Sequence, residues 1–191
     1  WNLERLGDAL APLLADDPAA GTLVAAEIVD AFDARYRSHW TAAFRQKLGF
    51  DDRIDAQLAA ELAQGALDLL ADHGVDFTGF WRDLAAAAEH DQQPLRDRFL
   101  GPVATLDAWL RRWSALAPDA ALIRATNPLY IARNHIVEEA LQAATDGDLA
   151  PSERLLDLLR DPYTERFASE YRRFTQPAPD GMPRHRTFCG T

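Results

Sequence analysis

The stretch Asn127 to Asp148, NPLYIARNHIVEEALQAATDGD, decides how the rest of the chain is read. Asn127 is a good helix cap, and Pro128 at a first helical position loses no needed hydrogen bond. At the other end Asp146-Gly147-Asp148 is a turn signal, since glycine readily takes the left-handed conformation that closes a helix. Placed at about 100° per residue, Leu129, Ala132, Ile136, Val137, Ala140, Leu141 and Ala144 share one broad apolar face. Asn134, Glu138, Gln142 and Thr145 lie opposite. Arg133 falls in the middle of the apolar face. A guanidinium buried there must be paired, because an unpaired buried charge costs an amount comparable to a domain's whole net stability. The stretch is therefore predicted to be the spine of a helical core, with Arg133 as a buried structural cation. No acidic partner can be named from sequence.

Outward from this spine the pattern stays helical. Residues 2–16 carry Leu3, Leu6, Leu10, Leu13 and Leu14, with Asn2 as cap and Pro12 as a kink. Asp16-Asp17-Pro18 is a break, and a long pattern runs from about Thr22 to Leu48, ended by Gly49. Asp51 or Asp52 is expected to cap a helix over 53–73, closed at His73-Gly74. Asp76 caps the next, Phe77 to Ala88. Residues 95–116 are helical in parts, broken at Gly101-Pro102. Pro151–Arg160 is a short helix, and a last one follows Asp161-Pro162, carrying Tyr163, Phe167, Tyr171 and Phe174. β-Branched residues are scarce and alanine abundant, and no run alternates like a strand. The expectation is an all-α, multi-helix single domain over 1–175. An extended tail over 176–191 follows.

A chain of 191 residues buries roughly 70% of its surface on folding and needs no staples. With 48% hydrophobic and 26% charged residues it has an ordinary globular balance. The net charge of −10 argues against nucleic acid as a partner, and Arg184-His185-Arg186 is too short a basic cluster to reverse that. No apolar run reaches the length of a membrane span. The one cysteine, Cys189, excludes a disulfide framework within the chain and fits a reducing compartment. The chain opens on Trp-Asn-Leu-Glu-Arg-Leu and its only methionine is Met182. It is read as part of a longer polypeptide.

Catalytic signatures are sparse. Gly74 and Gly79 have P-loop spacing, but Phe80-Trp81 stands where Lys-Ser/Thr must hold phosphate and magnesium. Asp76-Phe77-Thr78-Gly79 has one residue too many for a kinase Asp-Phe-Gly, and Asp76 is better read as a cap. His39, His73, His90 and His135 form no metal-ligand spacing. Asp146 and Asp148 are too few oxygens for a calcium loop. Trp40, Trp81, Trp109 and Trp113 sit at helical spacing with leucines, as core aromatics do. Cys189 follows Arg184, His185 and Arg186, whose charge favours a reactive thiolate; the alternative is an incidental terminal cysteine.

Four blocks in order carry a resemblance. They are Trp1-Asn2-Leu3-Glu4-Arg5-Leu6, the run Asp76-Phe77-Thr78-Gly79-Phe80-Trp81-Arg82-Asp83-Leu84, the run Asn127 to Asp148, and Thr187-Phe188-Cys189-Gly190-Thr191. Together they resemble the C-terminal region of the bacterial selenoprotein O family, kinase-like protein adenylyltransferases. The resemblance implies the helical C-terminal part of a protein-kinase-like fold, in a cytoplasmic enzyme that binds ATP with Mg or Mn in an inverted orientation. Such an enzyme transfers AMP to Ser, Thr or Tyr hydroxyls of protein substrates. It implies further that the Gly-rich loop, nucleotide lysine, catalytic Asp and metal-binding residues belong to a missing N-terminal catalytic part. No catalytic, cofactor or metal residue is then expected here, and Cys189 occupies the family's redox-active terminal position. Two other readings stay open: a free-standing helical module that binds a protein partner through an aromatic groove, and a helical enzyme with a cryptic site.

Overall fold

The structure is a computed structural model and describes residues 1–179 and 181–182. Among these residues every regular element is helical and none is a strand, as alanine content and the absence of alternation predict. The chain falls into two compact units, Trp1–Phe44 and Arg45–Thr191.

The first unit holds α1 (Asn2–Leu14), α2 (Pro18–Asp30) and most of α3 (Phe32–Lys47). Asp17-Pro18, expected to be a break, is instead the start of α2. The Asp17 carboxylate accepts from the N–H groups of Ala19 and Ala20, and Pro18 takes the first helical position. The single long helix expected from Thr22 to Leu48 is divided at Ala31 into α2 and α3. Pro12 lies inside α1 without ending it, two residues before the helix stops.

The second unit contains α4 (Ala56–His73), α5 (Phe77–Ala88), the single turn α6 (Gln93–Arg96), α7 (Ala104–Ser114), α8 (Ala120–Thr126), α9 (Asn134–Thr145) and α10 (Ala150–Arg160). A 3-10 helix, Ser169–Thr175, follows. Its core is built from α4, α5, α7 and α8: Leu62, Phe80, Trp81, Leu84, Leu106, Leu110, Trp113 and Ile123 are all essentially inaccessible to water. The indoles of Trp109 and Trp113 stack with centroids 5.7 Å apart. A buried indole needs an acceptor for its N–H. Trp109 Nε1 donates to the Leu62 carbonyl and Trp113 Nε1 to that of Leu48, each at 2.9 Å. A smaller cluster of Tyr130, Ile136, Leu155, Leu158 and Phe174 gathers around α9 and α10.

Three boundaries differ from the sequence reading. The cap of α4 is Asp55, which accepts from Gln57 N and Leu58 N, whereas Asp51 turns to Arg53. The helix expected after Asp161-Pro162 is reduced to the 3-10 segment. Most consequential, the spine does not begin at Asn127: that residue ends α8, residues 128–133 are non-helical, and α9 starts at Asn134 with Arg133 as its flanking residue. A residue before proline is driven from the helical to the extended region, and Asn127 sits at φ −103°, ψ 111°. The freed backbone bonds elsewhere, with the N–H groups of Leu129 and Tyr130 both reaching the Pro162 carbonyl. Leu129 and Ala132 are thus out of helical register, and Leu141 is exposed. Of the expected tail, Arg184, His185, Arg186 and Cys189 lie outside the described residues.

Candidate functional site

Asp76 precedes α5, and its position follows from a local need: the first N–H groups of a helix have no partner within it. Asp76 Oδ2 accepts from Gly79 N at 2.8 Å. The same carboxylate faces Arg133, which the non-helical run 128–133 delivers to it. Arg133 Nη1 donates to Asp76 Oδ1 and Nη2 to Oδ2, both at 2.9 Å, and Nη2 also donates to the carbonyl of Thr175 at 3.0 Å. One buried guanidinium thus joins the start of α5, the start of α9 and the end of the 3-10 helix. Its Nε is buried with no acceptor among the described residues.

Arg98 extends the cluster. Its Nε donates to Asp83 Oδ2 at 2.6 Å, and its Nη1 lies 3.8 Å from Asp76 Oδ2. The guanidinium occupies the space that a Cβ on residue 79 would need, so glycine there makes room for it. Burial pushes the Asp76 carboxyl up. The Arg133 hydrogen bonds, the Gly79 N–H and the charges of Arg133 and Arg98 outweigh it and hold the carboxyl below its ordinary value.

A second polar knot lies around Asn127, which is wholly buried. Its Nδ2 donates to the carbonyls of Lys47 and Ile123, at 2.9 and 3.0 Å, and its Oδ1 accepts from Lys47 Nζ at 2.9 Å. The Lys47 ammonium stands 5.8 Å from the Phe77 ring centroid and 5.9 Å from that of Trp81, and burial lowers its pKa. Arg82 Nη1 donates to the carbonyls of Arg124 and Asn127, at 2.9 and 3.2 Å. Cations at the last carbonyls of a helix are favoured by its dipole. Lys47, Arg82 and Asn127 therefore close the C-terminal ends of α3 and α8.

These groups are suited to holding chain segments and poorly suited to phosphate chemistry. Both oxygens of Asp76 are engaged by Arg133, and Asp83 is engaged by Arg98, so neither is a free base or an open metal ligand. Among the described residues no group of three or more His, Cys, Asp or Glu side chains is placed to hold a metal ion. An ATP–metal complex needs several oxygen ligands and donors converging on one point, and the arginine-paired carboxylates of Asp76 and Asp83 do not offer that. His135 sits beside the lock rather than in it, its pKa lowered by burial and by the Arg133 charge. The sequence reading singled out Arg133 and read Asp76 as a cap. It did not reach Lys47, Arg82, Asp83, Arg98 or the side-chain role of Asn127. The polar pair Arg82-Asp83 on an aromatic-rich helix was the one signal available for part of this set.

Among the described residues this is an all-α assembly whose buried charges tie helix ends together. The chain belongs to the SelO family, described as protein adenylyltransferase SelO, whose pattern it matches over residues 1–160. It is similar to the protein nucleotidyltransferase YdiU of Cereibacter sphaeroides (strain KD131), with 50% identity over 194 residues. It is 45% identical over 195 residues to the YdiU protein of Pseudarthrobacter chlorophenolicus and 43% identical over 195 to that of Mycolicibacterium paratuberculosis. Each match covers 100% of this chain and 39% of the relative, so the chain spans about two-fifths of the length of these curated relatives. No helix among the described residues is long and apolar enough to cross a membrane.

Proposed function

We propose that this chain is the helical supporting part of a bacterial, cytoplasmic protein adenylyltransferase. In that reading ATP, with magnesium or manganese, is held by a catalytic part outside these residues, and AMP passes to Ser, Thr or Tyr hydroxyls of protein substrates. The carrying observation is the family match over residues 1–160, together with carboxylates that are already committed to arginines. The Arg133–Asp76 pair and the Lys47–Asn127 knot then keep the supporting helices in register. Cys189 is proposed as a redox-sensing thiol whose exchange partner lies elsewhere in the longer protein.

The test is ATP labelled at the α-phosphate, incubated with the polypeptide encoded by the whole reading frame. Metal-dependent, protein-bound AMP is the expected result. Transfer of label from the γ-phosphate instead would overturn the reading. Mass spectrometry after mild oxidation tests the thiol separately: Cys189 should react faster than an unstructured thiol, and equal rates remove its redox role.

A further inference from the structure

The first unit, Trp1–Phe44, has its packing turned outward. Where α1 meets α2 the contact is made by the smallest residues. Gly21, Ala11 and Ala25 are buried, and a Cβ on residue 21 would fall on the Ala11 carbonyl. A Cβ on residue 7 would stand 3.4 Å from Ala25 Cβ. The two backbones approach so closely that large side chains are excluded from between them. The large apolar residues are instead exposed on a groove along the pair: Leu3, Leu6, Leu10, Leu14, Ile28 and Phe32 are 38–54% accessible. A helix pair meant to stand alone places its leucines inside and its small or polar residues outside. A contiguous apolar surface of this kind marks an interface.

We infer that this groove is the seat of the portion of the longer polypeptide that these 191 residues do not cover, and not of a second copy of this chain. Two observations favour that occupant over a separate partner or a second copy. The chain spans only 39% of its relatives, so most of a relative's length lies outside it and is tethered to it, at an effective concentration no separate partner matches. And the chain carries a net charge of −10, which opposes bringing two copies face to face. The inference rests on the reading that the chain is one part of a longer protein, and it names the surface through which the parts join.

The test is carbene footprinting of the unmodified polypeptide from the whole reading frame, with native mass spectrometry to fix its oligomeric state. The expected result is a monomer in which Leu6, Leu10 and Ile28 label at least about tenfold less than Leu100, which is fully exposed here. In the same polypeptide, Leu6→Asp with Leu10→Asp should restore labelling across the groove. Labelling of the groove at the level of Leu100 overturns the inference. So does shielding that disappears when a dimer is diluted to monomer, which assigns the groove to a second copy. A reading frame that adds nothing to these residues overturns it as well. Shielding without AMP transfer would remove the proposed function and leave the interface standing; transfer without shielding would do the reverse.

Discussion

Arg133 closes both oxygens of Asp76 with a pair of 2.9 Å hydrogen bonds across 57 positions of sequence. A side-by-side guanidinium–carboxylate pair is strong and directional, and here one member also caps α5. Removing one partner strands the other. Arg133→Met is expected to lower unfolding stability by about 2–4 kcal/mol, because it leaves the half-buried Asp76 carboxylate without its paired guanidinium, with only Arg98 at 3.8 Å. Asp76→Asn is expected to fall in the same range. The double variant should lose clearly less than the sum, and chemical denaturation of the four proteins in a double-mutant cycle measures the difference. Additive losses would mean that the pair does not act as a lock.

The same pair sets an acid dependence. The folded Asp76 pKa lies below its ordinary value of 3.8, so the unfolded chain takes up the proton first as pH falls. Its contribution is present in full above the unfolded value and is lost as pH drops through the folded one. The stability gap between the wild-type protein and Asp76→Asn should therefore be constant at neutral pH and shrink only below about pH 4. Denaturation midpoints at a series of pH values check this; a gap that grows on acidification contradicts it.

Two glycines with positive φ separate strain from collision. Gly74 closes α4 at φ +62° with open space where a Cβ would go, while Gly49 sits at φ +83° with Ile123 side-chain atoms at 2.8 Å and the Asp119 carbonyl at 2.9 Å from that position. Gly74→Ala is expected to cost the left-handed penalty alone, about 1–2 kcal/mol. Gly49→Ala should cost more, by roughly a further 1–3 kcal/mol for overpacking. Thermal unfolding of the two variants ranks them.

Gly79 makes room for a charge rather than a turn. Alanine inside α5 would gain up to about 1 kcal/mol in helix propensity. At this position it displaces the Arg98 guanidinium from Asp83 and Asp76. Gly79→Ala is expected to destabilise the wild-type protein and to be neutral or stabilising in an Arg98→Ala background. An equal effect in both backgrounds would rule out the proposed clash.

How far the sequence carried the structure is clearest at Asn127-Pro128. The dipeptide is a sound helix-start signal, and the all-α architecture, the Asp76 cap and the Gly74 stop follow from equally local chemistry. At Asn127 the local signal was overruled by tertiary contacts. The side chain is consumed by Lys47 and by the end of α8, and proline holds the preceding residue extended, so the helix starts six residues later, with Arg133 rather than Asn127 as its flanking residue. Arg133 announced that it needed an anion, because a charge among apolar residues demands one. Which anion was not legible, since Asp76 already had a complete local explanation as a cap and no pattern links positions so far apart. The same holds for Lys47, whose neighbours Phe77, Trp81 and Asn127 meet it only through the fold. The outward leucines of α1 read as ordinary amphipathic spacing; that small residues hold α1 to α2 is visible only in three dimensions.

In the proposed function these residues support nucleotide chemistry without performing it. The most direct measurement is AMP transfer from α-labelled ATP by the isolated 191-residue chain, with magnesium and then with manganese, beside the polypeptide from the whole reading frame. The expected result is labelled protein only with the longer polypeptide. Metal-dependent labelling by the isolated chain at a comparable rate would contradict the account.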